Sequence, residues 1–269
     1  MNTHITLTSD ASLDIFPNNK IGSFRTKLPQ NLYLDKKKHV VRLKYFSWPH
    51  TIKNLTDGRI KIRVLERLED GVNMETQSLR VPEGYYRDID SLVKAINSTI
   101  KQMRFVKTRF EDINFDEGFF RFEFDQPTDT VSLISEGDHT PRELRINLSS
   151  ELQLKLGFTL RRNSTQWLTP PAIARHSSDI NIEMSNLFIY CSLIQPTRII
   201  GNVMTNLIAI APMIGSHGSV VHFEPKLIEY YEINRDSVSE IQIEIYSDTG
   251  RPVEFMAGKC FVTLNIKEK

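Results

Sequence analysis

Two cysteines in 269 residues leave no material for a disulfide framework. Cys191 and Cys260 both sit in apolar runs of strand character, which reads them as small core residues. Alanine is nearly as scarce, with 7 copies against 28 isoleucines, while phenylalanine and tyrosine number 15 and 8. A chain poor in the best helix former and rich in β-branched and aromatic side chains favours sheet, because those side chains suit a pleated, half-buried surface and lose rotamer freedom in helices. Excess charge is missing too. With 34 Lys and Arg against 33 Asp and Glu the net charge is +1, without the global electrostatic footprint of a protein whose main work is gripping nucleic acid. The longest uninterrupted apolar run, Leu207 to Ala211, falls far short of the ~20 residues that cross a bilayer. Met1-Asn2-Thr3-His4-Ile5-Thr6 has neither the charged start nor the apolar stretch of a signal peptide, so the expectation is a soluble chain made in the cytosol. Without a secretory route, the sequons beginning at Asn54, Asn97, Asn147 and Asn163 are chance matches.

Motifs of catalysis and cofactor binding are absent as well. The seven histidines show no His-x-x-x-His pair, and neither cysteine stands near one at ligand spacing, so no metal site is expected. Neither Gly-x-x-x-x-Gly-Lys-Ser/Thr nor Gly-x-Gly-x-x-Gly occurs, which removes the motif-based nucleotide cradles and any cofactor expectation. Gly215-Ser216-His217-Gly218-Ser219 is not Gly-x-Ser-x-Gly and precedes a strand, not the helix of a nucleophile elbow, so it reads as a glycine loop. The carboxylate pairs Glu66 with Glu69 and Asp112 with Asp116 lie among basic residues and read as solvated surface. Arg25, Lys27 and Lys36 to Lys38 are ordinary outer-face and turn positions, and direct nucleic-acid contact is not expected of them.

A length of 269 allows one large domain or two modest ones, with enough chain to bury a substantial core. Ile21 to Leu28 alternates as a half-buried strand, with Gly22, Phe24, Thr26 and Leu28 on one face and Pro29 as its end. Val40 to Trp48 follows, with Val41, Leu43 and Tyr45 sharing a face, and stops at Trp48-Pro49-His50. The middle changes character. A hairpin, Arg59 to Glu66 with Gln77 to Val81, leads to an amphipathic helix whose stripe is Ile89, Leu92, Val93, Ile96, Ile100 and Met103, with Asp88 or Asp90 as cap. Strands return at Phe119 to Phe124, Val131 to Ile134 and Leu144 to Leu148, and a short helix from Ser149 ends at Gly157. After an exposed loop, Arg161 to Ser178, the last third is strand-rich: Ile180 to Ile194, Val220 to Phe223, then Ile241, Ile243 and Ile245, then Cys260, Val262, Leu264 and Ile266. Strands at both ends around an α+β middle point to a mainly β chain, one β-sandwich interrupted by an inserted α+β domain.

Several short blocks carry a family likeness. Phe16-Pro17-Asn18-Asn19 with Ser23 to Pro29, Trp48-Pro49-His50, Tyr85-Tyr86, Leu156-Gly157-Phe158, Phe188 to Cys191, His222-Phe223-Glu224-Pro225, Asp248 to Val253 and Gly258-Lys259 run in order along the chain. In these blocks it resembles the penton, or minor capsid, proteins of Polinton (Maverick) elements and adintoviruses. The resemblance implies a virion protein without catalysis or cofactor. It implies a single jelly roll from residues 1–54 and 180–269 with an insertion at 55–179, forming homopentamers at the fivefold vertices of an icosahedral capsid beside a major double jelly-roll capsid protein. The last two strands would lie in opposite sheets, with the final one beside Ile21 to Leu28. Interface cores favour aromatics, Met and Arg. The candidate subunit contacts are therefore Phe16, Pro17, Asn18, Asn19, Trp48, Pro49, His50, His222, Phe223, Pro225, Asp248, Arg251 and Phe255, with internal loop packing as the competing reading. Arg251, in Gly250-Arg251-Pro252, is the candidate for a bidentate carboxylate contact. A host receptor is a further expected partner through the insertion. The alternative is a jelly-roll carbohydrate or receptor binder acting through that same insertion, and a hydrolase built on the Gly215 loop is the weakest reading.

Overall fold

The computed structural model describes residues 2–68, 71–103, 120–135, 142–160 and 166–269. Phe119, Glu69, Asp112, Asp116, the sequon at Asn163 and the first part of the expected loop from Arg161 lie outside them. The fold is mainly β. In chain order come β1 (Asn2–Thr8), β2 (Ser23–Tyr33) and β3 (His39–Pro49). Next are β4 (Arg59–Leu68), β5 (Gly71–Arg80), α1 (Ile89–Lys101), β6 (Arg121–Asp125), β7 (Thr130–Ile134), β8 (Arg142–Leu148), α2 (Ser150–Lys155), β9 (Trp167–Leu168) and β10 (Ala172–Ile173). The chain continues with β11 (Asn186–Cys191), β12 (Arg198–Ile200), β13 (Val203–Thr205), β14 (Leu207–Pro212), β15 (Val220–Phe223), β16 (Tyr231–Glu232), β17 (Ser237–Tyr246) and β18 (Phe261–Glu268). Contacts divide it into two units, Met1–Ile52 with Glu183–Lys269, and Lys53–Ile182.

The first unit holds two antiparallel sheets, ordered β1-β18-β3-β15 and β14-β11-β17-β2, with β16 also pairing β3. Alternation turns one face of each sheet inward, and both inner faces feed one apolar cluster that includes Leu7, Phe24, Leu43, Leu187, Ile243 and Leu264. As expected, β17 and β18 lie in different sheets, so residues 247–260 must cross from one to the other. The final strand, however, does not lie beside β2. It pairs with β1 and β3, while β2 pairs with β17. The N-terminal residues, where Ile5 and Leu7 face inward, form the strand that takes the expected place of β2.

Two further expectations are corrected. Pro29 does not end β2, which runs on to Tyr33. β2 is the outermost strand of its sheet, and its pairing with β17 shifts register between Val238 and Glu240, so the missing N–H costs no ladder bond. Tyr45 does not share a face with Val41 and Leu43. Leu264 pairs with Leu43 and Thr263 with Tyr45, which leaves Lys44 as the extra residue of a β-bulge. Beyond it the inward positions are Phe46 and Trp48, both fully buried and stacked with ring centroids 4.7 Å apart.

Cys191 and Cys260 are free and buried, as the sequence suggests. Burial pushes the Cys191 thiol up to about 12 and raises that of Cys260 as well.

The second unit contains the sheets β5-β4-β8-β9 and β10-β7-β6. The stripe Ile89, Leu92, Val93, Ile96 and Ile100 of α1 packs into this unit's own apolar cluster. Asp88 caps α1, accepting from Ser91 N at 2.8 Å while the Ser91 hydroxyl bonds back to Asp88 N at 3.2 Å. Gly157 has φ +78°, and a Cβ there would stand 2.1 Å from His176 O, so this turn requires glycine. Asn54 and Asn97, two of the sequon asparagines, use both ends of their amides on the backbones of Tyr86 and Phe122.

The bulge makes a direct prediction. Phe46→Ala is expected to cost about 3–5 kcal/mol, whereas Tyr45→Ala, one residue away on the outer face, costs below about 1.5 kcal/mol, both read from urea unfolding midpoints. Equal losses would place Tyr45 in the core. Native-state alkylation offers a second check: neither thiol is expected to react until the protein unfolds, because both are buried and protonated near neutral pH.

Candidate functional site

The sequence-nominated residues fall in four loops and strand ends of the first unit. The loop between β1 and β2 is knit from within. Asn19 donates from Nδ2 to Ala11 O at 3.2 Å and Arg25 O at 2.8 Å, and its Oδ1 accepts from Arg25 N at 2.9 Å. Ser12 Oγ accepts from Lys27 N at 3.0 Å. Asp10 is held below the usual carboxylate range, first by a hydrogen bond from Thr8, with Lys259 also contributing 3.2 Å away. Phe16 is half-buried, and Pro17 and Asn18 are exposed beside a shallow cleft that also touches Ile15, Phe24 and Gln242. Asn19 thus serves the loop itself, while Phe16, Pro17 and Asn18 remain on view.

Trp48 and Pro49 are buried, so their packing is internal. Pro49 lies against Gly258, where φ is +94° and a Cβ would come within 2.7 Å of the proline Cβ. His50 extends the β3–β15 pairing: its N–H donates to Ser219 O at 2.8 Å, and its carbonyl accepts from Gly218 N at 2.9 Å. His50 meets His217 edge-on, with ring centroids 6.4 Å apart. The Gly215 to Ser219 segment is therefore the turn that delivers β15, and Ser219 Oγ donates to Ser216 O at 2.6 Å.

His222 is exposed on the outer face of β15, hydrogen-bonded through Nδ1 to the Tyr45 hydroxyl and stacked on that ring. Phe223 and Pro225 line a second cleft of ≈ 240 Å³, together with Leu43, Ile208, Ile210 and Leu227. Its rim is fixed by the Arg198–Glu229 ion pair, by Arg198 lying 5.0 Å over the Tyr231 ring, and by Tyr231 Oη donating to Glu229 at 2.5 Å. Burial raises the Tyr231 phenol, which keeps it a neutral donor.

The β17–β18 connection anchors the start of β11. Asp248 accepts from Ser185 N at 2.5 Å, Asn186 N at 3.1 Å and Asn186 Nδ2 at 3.0 Å. Arg251 meets a carboxylate, that of Glu183 in its own chain, at 3.7 Å. Phe255 bridges to Ile52 and packs half-buried on the core.

The structure therefore gathers Phe223 and Pro225 at one cleft and Phe16 to Asn18 at another, and gives Asn19, Trp48, Pro49 and Asp248 internal work. Sequence reasoning passed over Leu13, Ile15, Ile210, Val220 and Leu227, which are exposed apolar side chains. Their signal was weak, since single apolar residues on a surface are ordinary until the fold brings them together. What these loops present is contact surface: clefts of mixed polar and apolar lining with a few anchored charges. Among the described residues no group of three His, Cys, Asp or Glu is arranged to hold a metal ion, and no helix is long and apolar enough to cross a membrane.

The sequence matches no protein-family model and no curated protein. In fold, the chain is similar to the mavirus penton protein, known from a crystal structure of its selenomethionine-labelled form. The TM-score is 0.51 over 100% of both chains at 11% sequence identity, a likeness of fold.

Asp248→Ala is expected to lower stability by about 1–3 kcal/mol in urea titrations, because it strands two backbone N–H groups at the start of β11. Asp248→Asn, which keeps one acceptor oxygen, should recover part of the loss. No change in either variant would show that water replaces the carboxylate there.

Proposed function

We propose that the protein is a structural, non-enzymatic virion component: a penton-type minor capsid protein of a Polinton (Maverick) or adintovirus-like element, assembling as homopentamers at capsid vertices. The observation that carries this reading is the whole-length similarity of fold to the mavirus penton protein. The short blocks from Phe16 to Lys259 support it from the sequence side.

Strand order adds independent support. Taking the eight principal strands of the first unit as one to eight (β1, β2, β3, β11, β14, β15, β17, β18), the sheets run 1-8-3-6 and 5-4-7-2. Two four-stranded antiparallel sheets interleaved in this way describe a jelly roll. On this reading the segment between the third and fourth strands, which contains the second unit, is an insertion. The insertion is the part available for contact with a host receptor, and the major double jelly-roll capsid protein is the neighbour in the shell. A net charge of +1 suits a subunit surrounded by copies of itself, where a large like charge would oppose assembly.

Native mass spectrometry of the purified chain tests the reading. A species of about 155 kDa, five times the 31.1 kDa chain, is expected. A chain that stays at 31.1 kDa at every concentration, and shows no fivefold rings by negative-stain microscopy, would overturn the pentamer.

A further inference from the structure

We infer that one copy docks the crest of its β1–β2 loop, Leu13-Asp14-Ile15, into the cleft on the β14–β15 flank of the next copy, with Asp14 opposite Lys226. This rests on the homopentamer reading and deepens it by naming which surfaces meet.

The topology places the two surfaces on opposite flanks. β14 ends one sheet and β15 the other, and Ile208 and Phe223 from these strands line the same cleft. β2 and β1 end the sheets on the far side, where residues 9–22 join them. A contact between opposite flanks is heterologous: each copy gives one surface and receives on the other, which is what closing a ring requires.

Both surfaces present exposed apolar side chains. Leu13 and Ile15 are 47% and 52% exposed, and Ile210, Val220 and Leu227 are 40%, 59% and 70% exposed. The β14 edge is also uncharged, and only Pro212, at its end, is of a kind that discourages strand addition. Met213 N donates to Ser185 O, so the antiparallel alternation turns the backbone groups of Ile210 away from β11, and no further described strand pairs with them. On the other flank the β2 edge carries Lys27 and Pro29, the usual devices against strand addition. The stretch Leu207 to Ala211 has neither charge nor proline and is the part of the edge offered to a partner.

Charge supplies the register. Asp14 and Lys226 are both exposed, and neither has an ion-pair partner among the described residues. Each is flanked by apolar neighbours, Leu13 and Ile15 on one surface and Pro225 and Leu227 on the other. Both surfaces are ordered beforehand. The crest is set by Ile15 N and Phe16 N donating to Ser12 O at 3.1 and 2.8 Å, and the cleft rim by the Arg198–Glu229 pair. Little conformational entropy is then lost on docking.

The test is a charge swap on the full chain, read by native mass spectrometry and light scattering. Asp14→Lys and Lys226→Asp are each expected to raise the concentration for half-assembly at least about tenfold, and the double variant to restore assembly. Both positions are exposed, so unchanged thermal midpoints of the dilute variants control for folding. Ile15→Cys with Leu227→Cys should trap disulfide-linked ladders between copies. If the single swaps and Leu227→Asp leave the 155 kDa species intact, the contact is overturned and the penton reading stands. If the chain closes with another number of copies and the swaps still dissociate it, the fivefold reading falls and the contact stands. A chain that never associates overturns the contact.

Discussion

Everything in the first unit depends on keeping one apolar layer dry between two sheets. The inner faces of β1, β18 and β3 meet those of β11, β17 and β2 there, and the layer is continuous from Leu7 to Ile266. The bulge at Lys44 shows how strict the requirement is. Without it, strict alternation from Val41 and Leu43 would send Tyr45 inward and leave Phe46 and Trp48 in water. One extra residue resets the pattern, sends the rings of Phe46 and Trp48 into the layer, and turns Tyr45 outward to His222. An outer-face feature thus follows from a demand of the core.

The same constraint explains why several residues of the short sequence blocks are taken up inside the fold. Asn19 knots its own loop, Pro49 fits against a glycine that must lack a Cβ, and Asp248 holds the backbone where β11 begins. These residues let connections leave and re-enter the sandwich without orphaning polar backbone. They are specific because backbone geometry tolerates few alternatives. Surfaces that meet other molecules need only shape and apolar area, which many side chains provide, and they leave a fainter mark in sequence.

Legibility followed the same division. The β-rich class, the helix capped at Asp88 or Asp90 and the glycine after α2 could be read, because each rests on local periodicity or on a residue with a single good use, whereas the separation of β17 from β18 came only with the family resemblance. The role of β1 could not: Asn2–Thr8 buries little beyond Leu7 and Ile5 and becomes a strand only because β18 offers it an edge. Pro29 misled because a proline's meaning depends on whether the N–H it lacks would have faced a neighbouring strand, which is tertiary information. Tyr45 misled because a bulge breaks the period that the reading relied on. Arg251 was nominated for a carboxylate contact between subunits, and the fold brings Glu183 of its own chain beside it, which no local pattern in the sequence announces.

An open sandwich has a second consequence. A closed barrel has no edges, whereas two stacked sheets must end somewhere on each flank. Here the flanks are unlike. On one, a polar-stapled loop covers the approach to β1 and β2, and on the other an uncharged edge and a cleft of mixed lining stand open. A monomer would carry that second flank as a liability for indiscriminate strand pairing. An assembly in which each open flank meets a stapled one removes the liability at every contact, and needs no charge beyond a local pair to fix the register. Under the proposed assembly, near-neutrality and unlike flanks work together, because unlike surfaces close on one another best when the copies do not otherwise repel.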